Sequence, residues 1–178
     1  MFCAQNTTIQ IVRILGIDPA VRNTGYAILE GDQTSAKALD YGVISIPQRI
    51  KQSGALEAVC NGVRNLIEKW KPDEVAIEGI IYVQSHRTAI SMGAARAAPL
   101  IAAASFGLKI YEYSPKKVKK AIVGKGTADK KQVAFMIRAL LSLDETPPSD
   151  AADAMAIALA HLQASDPRRA ILLDRREV

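Results

Sequence analysis

The chain is poor in the residues that staple or stack. It has two cysteines, two histidines, one tryptophan and three phenylalanines in 178 residues. Cys3 and Cys60 lie far apart and match no zinc or redox spacing. Disulfide frameworks and structural zinc are therefore excluded as organising features, and an intracellular protein with reduced thiols is expected. Aromatic residues make up 5% of the chain, too few for the stacking platform of single-strand binders. No apolar run approaches the ~18 residues that would span a bilayer. The longest candidate, Ala97–Leu108, contains Pro99 and Gly107. The first residues, Met1-Phe2-Cys3-Ala4-Gln5-Asn6, lack the basic stretch before an apolar one that marks a signal peptide, so a cytoplasmic location is expected. A hydrophobic fraction of 49% and a net charge of +5 exclude an intrinsically disordered chain. The length suits one domain with a core that needs no staple.

The positive charge is concentrated. Eight lysines (109, 116, 117, 119, 120, 125, 130 and 131) lie between Lys109 and Lys131, opposed only by Glu112 and Asp129. That segment carries +6, and the remainder of the chain carries −1. A lysine run is often a solvated face. Gly124 and Gly126 interrupt this one, which favours a flexible basic loop facing a polyanion, such as duplex phosphates.

Hydrophobic periodicity divides the chain into strands and helices. Ile9–Ile17 reads as an interior strand, Gly25–Leu29 as a second and Ala38–Ile46 as a third, arranged as an antiparallel meander. Leu56, Val59, Cys60, Val63, Leu66, Ile67 and Trp70 then recur at helical spacing, with Ser53 as cap and Pro72 as stop. Glu74–Glu78 is a short buried strand, about 84–106 a helix interrupted by Pro99, and Leu108–Tyr113 a fifth strand. Ser114-Pro115 opens a short helix. Ala128–Leu143 is a helix with Val133, Ile137, Leu140 and Leu141 inward, and Pro147-Pro148-Ser149 opens a last helix to about Gln163. Residues 165–178 read as a charged, frayed tail. The order of elements predicts an α/β domain with a mixed five-stranded sheet flanked by helices, the order of a ribonuclease H-like fold.

Four acids sit where apolar residues are expected. Asp18 and Glu78 end apolar strands, and Asp150 and Asp153 share one face of an Ala/Met/Ile/Leu helix. Each has a plain alternative. Asp18-Pro19 can initiate a turn, Glu78 can reach solvent at a strand end, and Asp150 can complement a helix dipole. Asp153 interrupts a helix that reads as buried, where a bare carboxylate is costly without a cation or strong donors. If the strand ends converge on the helix start, one or two divalent cations would neutralise the cluster. Oxygen ligands without paired His or Cys point to Mg²⁺ or Mn²⁺ rather than zinc. Two such ions suit in-line attack of water on a phosphodiester. His161 lies ~16 Å along the helix from Asp150, too far to share a metal, and is read as a packed or surface residue; His86 is given no role.

Ile14-Leu15-Gly16-Ile17-Asp18-Pro19, Thr24-Gly25-Tyr26, Ala76-Ile77-Glu78 and Ser149-Asp150-Ala151-Ala152-Asp153-Ala154 together resemble the motifs of RuvC-type Holliday junction resolvases. Met92-Gly93-Ala94-Ala95-Arg96 and Val118-Lys119-Lys120-Ala121-Ile122-Val123-Gly124 match further stretches of that family, so the similarity runs from about Val12 to Gln163. The resemblance implies a homodimeric endonuclease of ribonuclease H-like fold that nicks two symmetric strands of a four-way DNA junction in recombination and repair. It makes Asp18, Glu78, Asp150 and Asp153 the catalytic and metal-binding acids. They would hold Mg²⁺, with Mn²⁺ as a substitute, two ions per subunit during catalysis. It places Lys119 and Lys130 at basic positions the family uses near DNA, and makes RuvA and RuvB, the branch-migration proteins, partners; Lys116 and Lys117 of the same basic run are further DNA-binding candidates. It also implies a nuclease domain over residues 12–164, with residues 1–11 as an extension expected to lack fixed structure.

The sequence departs from the family pattern in two places. Ala20 stands where the family usually has glycine after Asp-Pro, so the first turn must avoid a glycine-only conformation. Ile81, followed by Tyr82, stands where the family often has a phenylalanine wedge at the junction centre, a role an aliphatic side chain can also fill. Three rival readings stay open on the residues alone. A sugar-kinase-type phosphotransferase shares the first loop pattern but needs a duplicated domain. A non-catalytic junction binder would not need all four acids. Another ribonuclease H-like nuclease acting on RNA or an RNA/DNA hybrid fits the same charges and acids.

Overall fold

The computed structural model describes residues 11–80 and 85–178. Along the chain run β1 (Val12–Asp18), β2 (Asn23–Gly31), β3 (Ala36–Ser45), α1 (Gln52–Trp70), β4 (Glu74–Glu78) and α2 (His86–Ser105). These are followed by β5 (Lys109–Tyr113), α3 (Pro115–Val123), α4 (Lys130–Leu140), α5 (Ser149–Gln163), α6 (Pro167–Leu173) and β6 (Arg176–Glu177). The sheet order is β3-β2-β1-β4-β5-β6. The first three strands form the expected antiparallel meander, β4 and β5 continue parallel to β1, and β6 returns antiparallel. No described helix is long and apolar enough to cross a membrane.

Alternation along each strand divides the core into two layers. Leu15, Ile17, Ile28, Val75, Ile77 and Ile110 face α1 and α2. Ile14, Ala27, Leu29, Ala76, Tyr111 and Tyr113 face α3, α4 and α5. In β1 the α5 face is therefore Ile14, Gly16 and Asp18; in β4 it is Glu74, Ala76 and Glu78. The small residues between the carboxylates let α5 lie directly on the strands.

Several local expectations need revision. α1 begins at Gln52 with Lys51 in the extended cap position, so Ser53 lies inside the helix and caps nothing. Lys71 ends it in the left-handed region, just before Pro72. Pro99 sits buried inside α2 without ending it. α4 starts after Asp129, which makes a reciprocal capping box with Gln132. Val133, Ala134, Ile137 and Leu141 form the inward stripe of that helix; Leu140 falls on the stripe's edge and is exposed. Residues 167–177, read as a charged tail, fold as α6 and β6, and β6 adds a sixth strand beside Tyr111 and Glu112. The expectation for residues 1–11 falls, apart from Ile11, outside the described residues.

α5 meets the sheet through backbone. A Cβ built on Gly16 would stand 2.3 Å from the Ala154 carbonyl oxygen, and one on Gly25 would stand 2.0 Å from that of Asp150. Neither contact can be relieved by turning a side chain. Gly16→Ala and Gly25→Ala are each expected to lower unfolding free energy in urea by about 3 kcal/mol, the scale of overpacking a tight core. A loss below about 1 kcal/mol at both positions would contradict direct seating of α5 on the strands.

Candidate functional site

Parity and register bring the first two acids together. β1 and β4 run parallel with Ile17 opposite Ile77, so the next residues, Asp18 and Glu78, are neighbours at the carboxyl ends of adjoining strands. Both point to the α5 face. β2 places Gly25 opposite Asp18, and the Asp150 backbone of α5 packs on Gly25. The first turn of α5 is thereby set over the strand ends. Asp150 and Asp153, one turn apart, complete the group. Thr24, fully buried, closes the β1–β2 turn: its Oγ1 donates to the Ala20 carbonyl at 2.6 Å and accepts from the Ala20 N–H at 3.3 Å. Ala20 is not among the described residues with positive φ, so this turn does not require the glycine usual there.

Crowded carboxylates need positive charge or protons. Lys130, at the start of α4, supplies one ammonium, with Nζ 3.6 Å from Asp150 Oδ1 and 3.3 Å from Asp153 Oδ2. Burial opposes its charge, yet Asp153, Asp150 and Asp18 prevail and hold its pKa above the usual lysine value. The contact between the Asp18 and Glu78 carboxyls lowers the pKa of the first and raises that of the second. Burial, reinforced by Asp153 and opposed by Lys130, raises Asp18 to about 6. Burial, together with the Asp18 and Asp153 charges, raises Glu78 to about 8, so Glu78 keeps its proton at neutral pH. Burial also raises Asp153, against the pull of Lys130 and Lys119. Lys119, on α3, acts on both Glu78 and Asp153.

The other predicted contacts separate from this cluster. Lys116 is exposed on α3. Lys117 turns away from the acids and pairs with Asp174 at 3.4 Å. The eight lysines do not form one flexible loop. Four lie on α3, two open α4, one is on β5, and only Lys125 lies between helices. Of the two glycines that suggested a loop, Gly124 caps α3 in the left-handed region and Gly126 lies in the short turn that leads to α4. Ile81 and Tyr82 lie outside the described residues. His161 is packed, as expected, but with two partners the sequence did not suggest. Nδ1 lies 2.7 Å from the Tyr113 hydroxyl and Nε2 lies 2.7 Å from Glu74 Oε2. The pairing of Lys130 with Asp150 and Asp153 was also missed; a separation of 20 and 23 positions gives no periodic signal for it.

The donor set fits a hard divalent cation, since every side chain offered is a carboxylate oxygen. Among the described residues no three acids close on one point as a ready-made cage. Lys130 and the Glu78 proton hold positions that a cation would contest.

A raised carboxyl pKa favours the folded state while the proton is bound. That advantage is lost as pH rises from the ordinary carboxylate range toward 8. In the absence of divalent ions, stability in urea is expected to fall across this window. Glu78→Gln should flatten the fall and be more stable than wild type at pH 8.5 by about 2 kcal/mol. Identical pH profiles for the two proteins would exclude the proton on Glu78.

Comparison with known proteins agrees with this geometry. The profile of the family described as crossover junction endodeoxyribonuclease RuvC matches residues 14–161. The crossover junction endodeoxyribonuclease RuvC of Akkermansia muciniphila is 62% identical over 167 residues, covering 94% of this chain and 100% of the relative. That of Halothermothrix orenii is 41% identical over 149 residues, covering 83% and 90%. Among solved structures, T. thermophilus RuvC in complex with Holliday junction substrate superposes with a TM-score of 0.81 at 29% identity, covering 94% of this chain and 99% of that one. Divalent-metal dependence goes with that family. On sequence and on architecture alike, the chain belongs to the RuvC family of crossover junction endodeoxyribonucleases.

Proposed function

We propose that residues 12–164 form a nuclease domain that resolves four-way DNA junctions, acting as a homodimer on two symmetric strands. The observation that carries this reading is the meeting of Asp18, Glu78, Asp150 and Asp153, from three distant stretches of chain, with Lys119 and Lys130 beside them. The four acids would hold Mg²⁺, or Mn²⁺ in its place, at two ions per subunit, supplying an activated water and a stabilised leaving oxygen. The chain's own groups do the rest. Glu78 gives up its proton and Lys130 moves off Asp150 and Asp153 as the carboxylates take up their ligands, so loading releases protons and is favoured by alkaline pH. Lys119 and Lys130 then face the scissile phosphate, and Lys116 neutralises phosphates further along the arms, while Lys117, engaged by Asp174, is left off that path. Ile81 and Tyr82, just after Glu78 in the chain, are the candidates for an apolar wedge at the junction centre. RuvA and RuvB are the proposed partners in branch migration. The junction-bound relative supports DNA over an RNA or hybrid substrate.

The direct test offers Mg²⁺ with labelled four-way junction, linear duplex and RNA/DNA hybrid. Paired nicks are expected in the junction alone. Asp18→Asn and Glu78→Gln should each reduce cleavage by roughly 10²–10³-fold or more while leaving junction binding within a few-fold of wild type. Wild-type cleavage by either variant, or preferred cleavage of the hybrid, would sink the assignment.

The homodimer is read from α2. Ile90, Gly93, Ala94, Ala97 and Ile101 lie on one stripe of that helix, and Ile90 and Ile101 are 73% and 59% exposed. Ala95, Ala98 and Ala102 face inward and are buried. Substitution at Ala95 would therefore damage the core, whereas Ala94 and Ile101 report on the outer face. An isologous contact along this stripe would relate two active sites by the symmetry of the junction. Sedimentation at micromolar concentration should give a dimer for wild type and folded monomers for Ala94→Arg or Ile101→Glu. A wild-type monomer in the presence of junction DNA would refute the dimer.

A further inference from the structure

Helix α3 has two working flanks. Val118 and Ile122 are buried between them, and Lys119 acts on the carboxylates from one side. On the opposite flank, Lys117 and Lys120 form one wall of a cavity of about 380 Å³. The second wall is α6, which contributes Arg169 and Leu172, and Leu140 from the end of α4 closes the cleft. Two of these apolar side chains are far from buried, with Leu140 46% and Leu172 73% exposed. Water-exposed leucines rimmed by cations are a costly arrangement for a surface with no partner.

The lining distinguishes the occupants. A DNA backbone needs cations and gains nothing from an apolar floor. A purely apolar segment would strand the charges of Lys120 and Arg169. The nearby acid, Asp174, is already engaged by Lys117 at 3.4 Å and Arg176 at 3.0 Å. Among the described residues, Lys120 and Arg169 form no ion pair. We propose that this cleft docks an acidic, leucine- or phenylalanine-bearing peptide segment of a protein partner. Its carboxylates meet Lys120 and Arg169, and its apolar side chain enters between Leu140 and Leu172. Because the cleft lies across α3 from the carboxylates, a partner held there leaves the phosphate path along Lys119 and Lys130 open.

Fluorescence anisotropy on the full chain tests this with three labelled probes: a ten-residue peptide alternating aspartate and leucine, one alternating aspartate and serine, and a short DNA duplex. The Asp/Leu peptide is expected to bind at least tenfold more tightly than the Asp/Ser peptide. Arg169→Glu and Leu172→Ser, both at exposed positions, should each weaken it at least fivefold while leaving junction cleavage unchanged. Equal binding of the two peptides, no binding of either, or insensitivity to both substitutions would overturn the proposal. Loss of duplex binding in Arg169→Glu with peptide binding unchanged would make the cleft a DNA contact instead.

Discussion

The seating of α5 on bare strand backbone is the constraint on which the site depends. Gly16 and Gly25 leave no side chain between the strands and the carbonyls of Ala154 and Asp150. A helix one methyl group further away would carry Asp150 and Asp153 out of reach of Asp18 and Glu78. The alanines of α5 follow from the same requirement, because a larger residue at Ala154 or Ala158 would lift the helix as surely as one on the sheet. The run of alanines in the helix is thus a condition for bringing charge onto the sheet.

That closeness creates an electrostatic problem, and the protein answers it with parts that can leave. Four carboxylates in a half-buried setting repel one another strongly. An apolar scaffold cannot relieve this, and a fixed buried arginine would neutralise the acids permanently. Lys130 is instead a long, largely exposed side chain entering from α4, and the proton that burial keeps on Glu78 is exchangeable. Both hold the cluster together, and both can give way to a cation. Lys130 thus acts on the carboxylates while most of its own surface stays in solvent.

How much of this could be read from the residues depended on how local the signal was. The meander, β4 and α5 follow from periods of two and of 3.6, and the four acids stood out because each broke such a period. That Asp18 and Glu78 lie side by side on one face came only with the β1–β4 register, which sets Ile17 opposite Ile77. Contacts between distant stretches carried no such signal. Lys130 looked like one more lysine in a basic run, and nothing marked it as the partner of Asp153. The run itself misled, since most of its lysines lie on helices and only the short turn around Lys125 and Gly126 is a loop. β6 was hidden for a different reason: two residues make no period, and Arg176-Glu177 pairs at a sheet edge where charged side chains face solvent. Leu140 was misread because a helical stripe has edges, and a residue on the edge takes its environment from the neighbouring element.

The two ends of α5 explain why its first turn can remain so strained electrostatically. At the far end His161 is buried, bridged to Tyr113 of β5 and to Glu74 of β4, with the Tyr111 ring against it. Glu74 and Glu78 are the two ends of one short strand and face the same helix. The carboxylate of Glu74 is held below its usual pKa by its bond to His161, while that of Glu78 is driven up by burial beside other acids. One end of β4 thus spends its acid on anchoring the helix, and the other keeps its acid unmatched. A helix pinned by hydrogen bonds at its carboxyl end and by backbone contact at its amino end cannot swing away to relieve the repulsion. The carboxylates can lower their repulsion only by drawing in protons or positive charge, as the raised Glu78 and the approach of Lys130 show.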